Sequence, residues 1–116
     1  MKIRIGIHDI TVRGMTAVER DVGGVLGFWS PRTAEIGIDP GIPPAMQASV
    51  LIHELLHACF TVAQREHSGD FTEEDACLRL DGPLTDALTH NPCLWDALKR
   101  AKEGKPMVRR QTGPGN

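Results

Sequence analysis

The spacing of apolar positions changes period once along the chain, near residue 40. From Lys2 the period is two: Ile3, Ile5 and Ile7 alternate with Lys2, Arg4 and Gly6, as in a half-buried strand. The phase then slips, with Ile10 and Val12 on even positions, which predicts a bulge or turn near His8-Asp9. "VGGVLGFWS" leads into a second short strand over residues 25–29, Ser30-Pro31-Arg32 reads as a turn, and "TAEIGID" alternates again. Residues 2–39 are therefore expected to form a β-region. From Pro43-Pro44 the period becomes helical and runs unbroken to about residue 64. Leu51, Leu55, Ala58 and Val62 share one side of this helix, and Ala48, Ile52, Leu56, Cys59 and Ala63 the adjoining one. So few positions are left polar that the helix is expected to be buried nearly all round.

A loop, "REHSGD", precedes a second helix over about residues 72–90, capped by Thr72 with Asp75 three residues on. Its inner face is Ala76, Cys77, Leu80, Leu84, Ala87 and Leu88, and Pro83 predicts a kink or break at Asp81-Gly82-Pro83. Asn91-Pro92 opens a third helix over 92–103, stopped at Gly104. The expected fold is α+β: one domain over residues 1–104, a short N-terminal antiparallel sheet packed on a central helix, two further helices, and a disordered tail over 105–116.

Composition narrows the class. At 116 residues there is room for one core, and 41% apolar with 24% charged residues is ordinary for a globular protein. A net charge of −2 singles out no charged partner, and the basic residues of the tail read as a solubilising end, not a nucleic-acid clamp. No apolar run is expected to approach the roughly 20 residues of a membrane span, and the charged, alternating N-terminus is not expected to be a signal peptide. Cys59, Cys77 and Cys93 are odd in number and form no CxxC pair, so buried, reduced thiols and a cytoplasmic setting are expected.

The chemistry concentrates in "VLIHELLHACF". His53 and His57 stand four residues apart, so on a helix both point the same way and two imidazoles can reach one tetrahedral metal ion. Glu54 is rotated 100° from His53, on the flank where a carboxylate could hold a water beside that ion. The alternative is a buried helix with two hydrogen-bonded core histidines. Placing two imidazoles and a carboxylate in an apolar helix is costly without compensation, which favours the metal. A third ligand is then needed, with a fourth position left open for catalysis. Candidates are His67, Asp70, Glu73, Glu74 and Asp75. Glu73 falls on the inner face of the second helix and ranks first, Glu74 is rotated outward and ranks second, and His67 is third.

HELLH on a central helix after a short β-region, followed by "TEEDACLRL" and "NPCLWDAL", resembles the compact gluzincin-type zinc peptidases. Closest are the small phage and prophage proteins grouped with ImmA/IrrE-like metallopeptidases, and the similarity runs over about residues 27–98. The resemblance implies a zincin-like domain with His53 and His57 as Zn2+ ligands, Glu54 as general base activating the zinc-bound water, and a Glu of "TEED" as third ligand. It implies a metallopeptidase hydrolysing a protein or peptide substrate in the cytoplasm, that of the host if the protein is phage-encoded. It also implies that an edge strand at residues 33–39 binds extended substrate by strand addition. Two features depart from the pattern. Cys77 and Leu78 stand where an Asp or Asn often orients a zinc histidine, four residues after Glu73 and Glu74. The chain has no Tyr, so the oxyanion must be met by His67, His90, Arg65, Arg79 or the zinc alone. A non-catalytic zinc-binding regulatory domain on the same fold is the alternative. A looser similarity of "REHSGDF" to SprT-like proteases, which act on nucleic-acid-bound proteins, would need a third histidine at a longer spacing than His67 offers.

Overall fold

In the computed structural model, which describes residues 1–66 and 73–110 (without the side chains of 64–66 and 73), the chain begins with a hairpin. Strand β1 (Lys2–Ile5) turns through Gly6 and Ile7 into β2 (His8–Gly14), with Ile3 opposite Ile10. Gly6 has φ +62°, a conformation glycine adopts without a Cβ penalty, at the first position of a two-residue loop. The expected phase slip is this loop. It brings Ile3, Ile5, Ile10 and Val12 to one face and leaves Ile7 82% exposed.

After β2 the expectation of continuous β-structure fails. Helix α1 (Ala17–Gly23) is inserted, with Thr16 and Glu19 forming a reciprocal capping box and Gly24 closing the end in the left-handed region. Strands β3 (Gly27–Ser30) and β4 (Glu35–Ile38) follow, joined across Ser30-Pro31-Arg32. The sheet order is β1-β2-β4-β3, with β4 parallel to β2 and antiparallel to β3. The sheet is therefore mixed and not the antiparallel one expected. The long connection through α1 and β3 supplies the crossover that a parallel pair requires.

Helix α2 (Pro44–Glu66) lies on the sheet, followed by α3 (Glu73–His90) and α4 (Pro92–Lys102). Ile3, Ile5, Ile10, Val12, Ile36 and Ile38 meet Leu51, Leu55, Ala58, Cys59 and Val62 of α2, with Ala87 and Leu94 from the later helices. Each fully buried aliphatic side chain here contributes roughly 1.5–3 kcal/mol. The architecture is α+β, as the change of period predicts. Helix α3 continues through Pro83 without a break, and its inner face is Leu80, Leu84, Ala87 and Leu88, whereas Cys77 is exposed.

Helix α2 departs from expectation in a way that bears on function. It is not buried all round: Met46, Ile52 and Leu56 are exposed, as are His53 and His57. The 20 residues of Pro44–Ala63 have a mean hydropathy of 1.2, long and apolar enough by composition alone to cross a membrane. Here that helix packs on the sheet and against α3 and α4, and among the described residues a stripe with Met46, Ile52, His53, Leu56 and His57 is exposed.

The tail also begins later than expected. Val108 is 6% exposed, and Met107 N–H donates to Gln47 Oε1 at 2.9 Å, while the Gln47 amide donates to the carbonyls of Ile42 and Pro40. Residues 105–110 thus belong to the body, and 111–116 lie outside the described residues. At the other end, side chains of α3, α4 and the intervening Asn91 cover the outer edge of β1. Asn91 accepts from Arg4 N–H and donates to Arg4 C=O, Asp86 accepts from Gly6 N–H, and Cys93 Sγ donates to Lys2 C=O.

Candidate metal centre

The centre is built on the third and fourth turns of α2. Leu51, Leu55 and Ala58 fix the helix's rotation by facing the sheet, so His53 and His57 turn outward together. Their Nε2 atoms are 3.2 Å apart, and the rings meet edge to face with centroids 4.8 Å apart. His53, Glu54 and His57 each offer a ligand atom, all within 4.8 Å of one another. Both histidines are exposed, so the argument from burying imidazoles does not apply to them. What favours a cation is proximity: the two ring nitrogens are at a distance where they can share one proton or one ion, and a carboxylate oxygen lies within 4.8 Å.

Glu54 sits on the buried flank and is only 8% exposed. Among the described residues no donor hydrogen-bonds its carboxylate, which faces a cleft of about 460 Å³ between α2 and the Gly24–Gly27 approach to β3. Val50, His53 and Ser49 form the helix side of that cleft. Gly27 permits the close approach. A Cβ there would run into Val50 Cγ1, lie 2.9 Å from Gly37 C=O and stand 3.5 Å from Glu54 Oε2. One turn beyond His57, Trp29 Nε1 donates to Thr61 Oγ1 at 2.8 Å and pins β3 to the helix. On the other side of the histidines, His53, Leu56, His57, Phe60 and Leu80 line an apolar hollow of about 260 Å³ between α2 and α3.

The remaining sequence candidates divide. His67, Asp70, Arg65's side chain and Glu73's side chain lie outside the described residues, as does the Thr72 cap. Glu73 is the first residue of α3, and Glu74 beside it is exposed. His90 is engaged elsewhere: its Nδ1 is 2.6 Å from Asp86 Oδ1, at the end of α3 that meets β1. The strand expected at the edge, residues 33–39, is β4 and lies inside the sheet. The edge strand beside α2 is β3. Gly27 and Val50 are the site residues that sequence reasoning missed, and a glycine inside a strand signal was the available clue to close backbone approach.

No protein-family model, curated protein or solved structure matches the chain.

Proposed function

We propose that the protein is a zinc-dependent metallopeptidase that hydrolyses peptide bonds of a protein substrate. The observation that carries this reading is the His53–His57 pair, open to solvent, with the buried Glu54 carboxylate facing the adjoining cleft. The spacing fits the metal. Zinc–imidazole bonds of about 2.0–2.1 Å at a tetrahedral angle set two ring nitrogens about 3.3 Å apart, against 3.2 Å between these Nε2 atoms. His53 and His57 would hold the ion with a carboxylate from the start of α3, Glu73 ahead of Glu74. When bound, zinc supplies Lewis acidity and lowers the pKa of a water toward about 7.

The chain's own groups do the rest. Glu54 accepts the proton of the attacking water and then returns it to the leaving nitrogen. Its position at the floor of the cleft keeps the carboxylate at the reacting carbonyl and limits bulk water there. Strand β3 holds extended substrate along its free edge by main-chain hydrogen bonds, the role first expected of residues 33–39.

The test is Glu54→Gln, with zinc measured by elemental analysis and turnover on unfolded protein substrates. Near one zinc per chain should remain, and cleavage should fall by about 10²–10⁴-fold or more. Undiminished cleavage would refute the role of Glu54. A folded wild type with no affinity for zinc would refute the metal centre itself.

A further inference from the structure

The free edge of β3 has a second side. Asp39 N–H donates to Leu26 C=O at 2.8 Å, and Phe28 pairs with Gly37, so Leu26, Phe28 and Ser30 turn their main-chain groups toward β4. By the alternation of an antiparallel ladder, Gly27 and Trp29 turn theirs outward. Side chains alternate in the same way. Gly27 and Trp29 face α2, whereas Phe28 faces the opposite side of the sheet, where the Arg13 guanidinium lies 5.4 Å from its ring centre. With the β1 edge covered by Asp86, Asn91 and Cys93, β3 is the sheet's open edge among the described residues.

On the Phe28 side, α1 stands away from the sheet and leaves a groove of about 470 Å³. Met15, Val18, Val22, Val25 and Phe28 line it. Val18 and Val22 are 55% and 82% exposed, and no residue of α1 is buried. Glu19, at the rim, is paired with Arg13 at 2.7 Å and presents no free charge to the groove. Val25 lines both this groove and the cleft beside Glu54, so the two hollows adjoin at the approach to the edge strand.

We propose that the groove between α1 and β3 is a specificity pocket that takes a bulky apolar side chain from an extended peptide. This rests on the peptidase reading for its consequence. A peptide strand added to β3 exchanges hydrogen bonds with Gly27 and Trp29, and its residues opposite them face α2 and the cleft beside Glu54. The residue opposite Phe28 faces the groove. The selected side chain is therefore one position away from a residue presented to the metal centre, and it is aliphatic or aromatic because the walls are.

The test separates binding from chemistry. Zinc-loaded Glu54→Gln protein is panned against random decapeptides displayed on phage, with and without Val22→Asp. Val22 is exposed enough for that change to spare the fold. The expected result is enrichment of Leu, Ile, Phe or Met at one position, with Val22→Asp weakening those peptides about tenfold or switching the position to Lys or Arg. Peptides enriched with no apolar preference, or a preference that Val22→Asp leaves unchanged, would overturn the groove and leave the peptidase reading standing. Enrichment of no peptide, or a dimer that already pairs β3 with β3, would overturn it as well. Selected apolar peptides that wild-type protein binds but never cuts would uphold the groove and remove the peptidase.

Discussion

Gly27→Ala tests the contact on which both cleft and edge strand depend. The added methyl would overlap Val50 Cγ1 and come within 2.9 Å of Gly37 C=O. Neither neighbour yields freely, since Val50 stands on the rigid α2 and the carbonyl belongs to β4. Overpacking of this kind costs about 1–3 kcal/mol, and about 0.5–1 kcal/mol is returned because alanine loses less backbone freedom than glycine in a strand. With backbone on one side of the clash the cost falls in the upper part of that range, and the net loss of about 1–2.5 kcal/mol corresponds to about 4–12 °C in Tm for a chain of this length. Cleavage should also fall, by about 10–100-fold, as β3 is pushed off the helix that carries Glu54. Thermal unfolding by circular dichroism measures the first effect, and a double-mutant cycle identifies its cause. In a Val50→Ala background, Gly27→Ala should cost at least about 1 kcal/mol less than in wild type. A Gly27→Ala protein melting within about 2 °C of wild type, or a cycle with no coupling, would refute the close packing of β3 on α2.

Three further outcomes are expected. His57→Ala should weaken zinc binding more than about 100-fold in competition with a chromogenic chelator, yet leave the metal-free Tm nearly unchanged because the ring is exposed. The Arg13 guanidinium holds the Glu19 carboxyl down at about 2 and lowers that of Glu35 by the same means. A carboxyl lowered on folding adds stability that is complete above its ordinary value of 4.5 and is lost as pH falls toward 2. Urea midpoints should therefore drop across that window, and Glu19→Gln should flatten the drop; an unchanged acid slope would refute the assignment. Burial pushes the Cys59 thiol up to about 11, whereas Cys77 is exposed. Maleimide should label Cys77 in the native protein and Cys59 only on unfolding, read by peptide mass spectrometry.

Much of this was legible in the sequence, for reasons that also mark the limit. Period-two spacing grouped Ile3 and Ile5, with Ile7 that the turn leaves exposed, and after the phase slip Ile10 and Val12; period-3.6 spacing found α2 and the shared direction of His53 and His57. Spacing tells which way a side chain points, however, and not which strand lies alongside. The parallel β2–β4 pairing and the interior place of β4 were therefore out of reach. Helix α1 was within reach: Thr16 and Glu19 spell a capping box and Gly24 a stop, but seven residues with a weak apolar stripe were absorbed into the surrounding β-pattern. The open face of α2 was misjudged for a different reason. Ile52 and Leu56 are as apolar as Leu51 and Leu55, and hydrophobicity alone does not separate a face that meets the sheet from one that borders a site. Gln47 and Val108, which hold residues 105–110 to the body, act across some 60 residues of chain, and no local pattern reports such a contact.

The covered edge of β1 has a consequence for assembly. Asn91 does for Arg4 what a neighbouring strand would do, giving one acceptor and one donor to its main chain, and Asp86 and Cys93 serve the residues two positions to either side. A sheet with two bare edges can propagate, each added copy presenting a fresh edge to the next. With β3 the one edge left bare among the described residues, edge pairing is self-limiting: a guest strand or a second copy fills it and growth stops. The molecule can thus keep one edge ready for a partner without becoming the seed of a fibre.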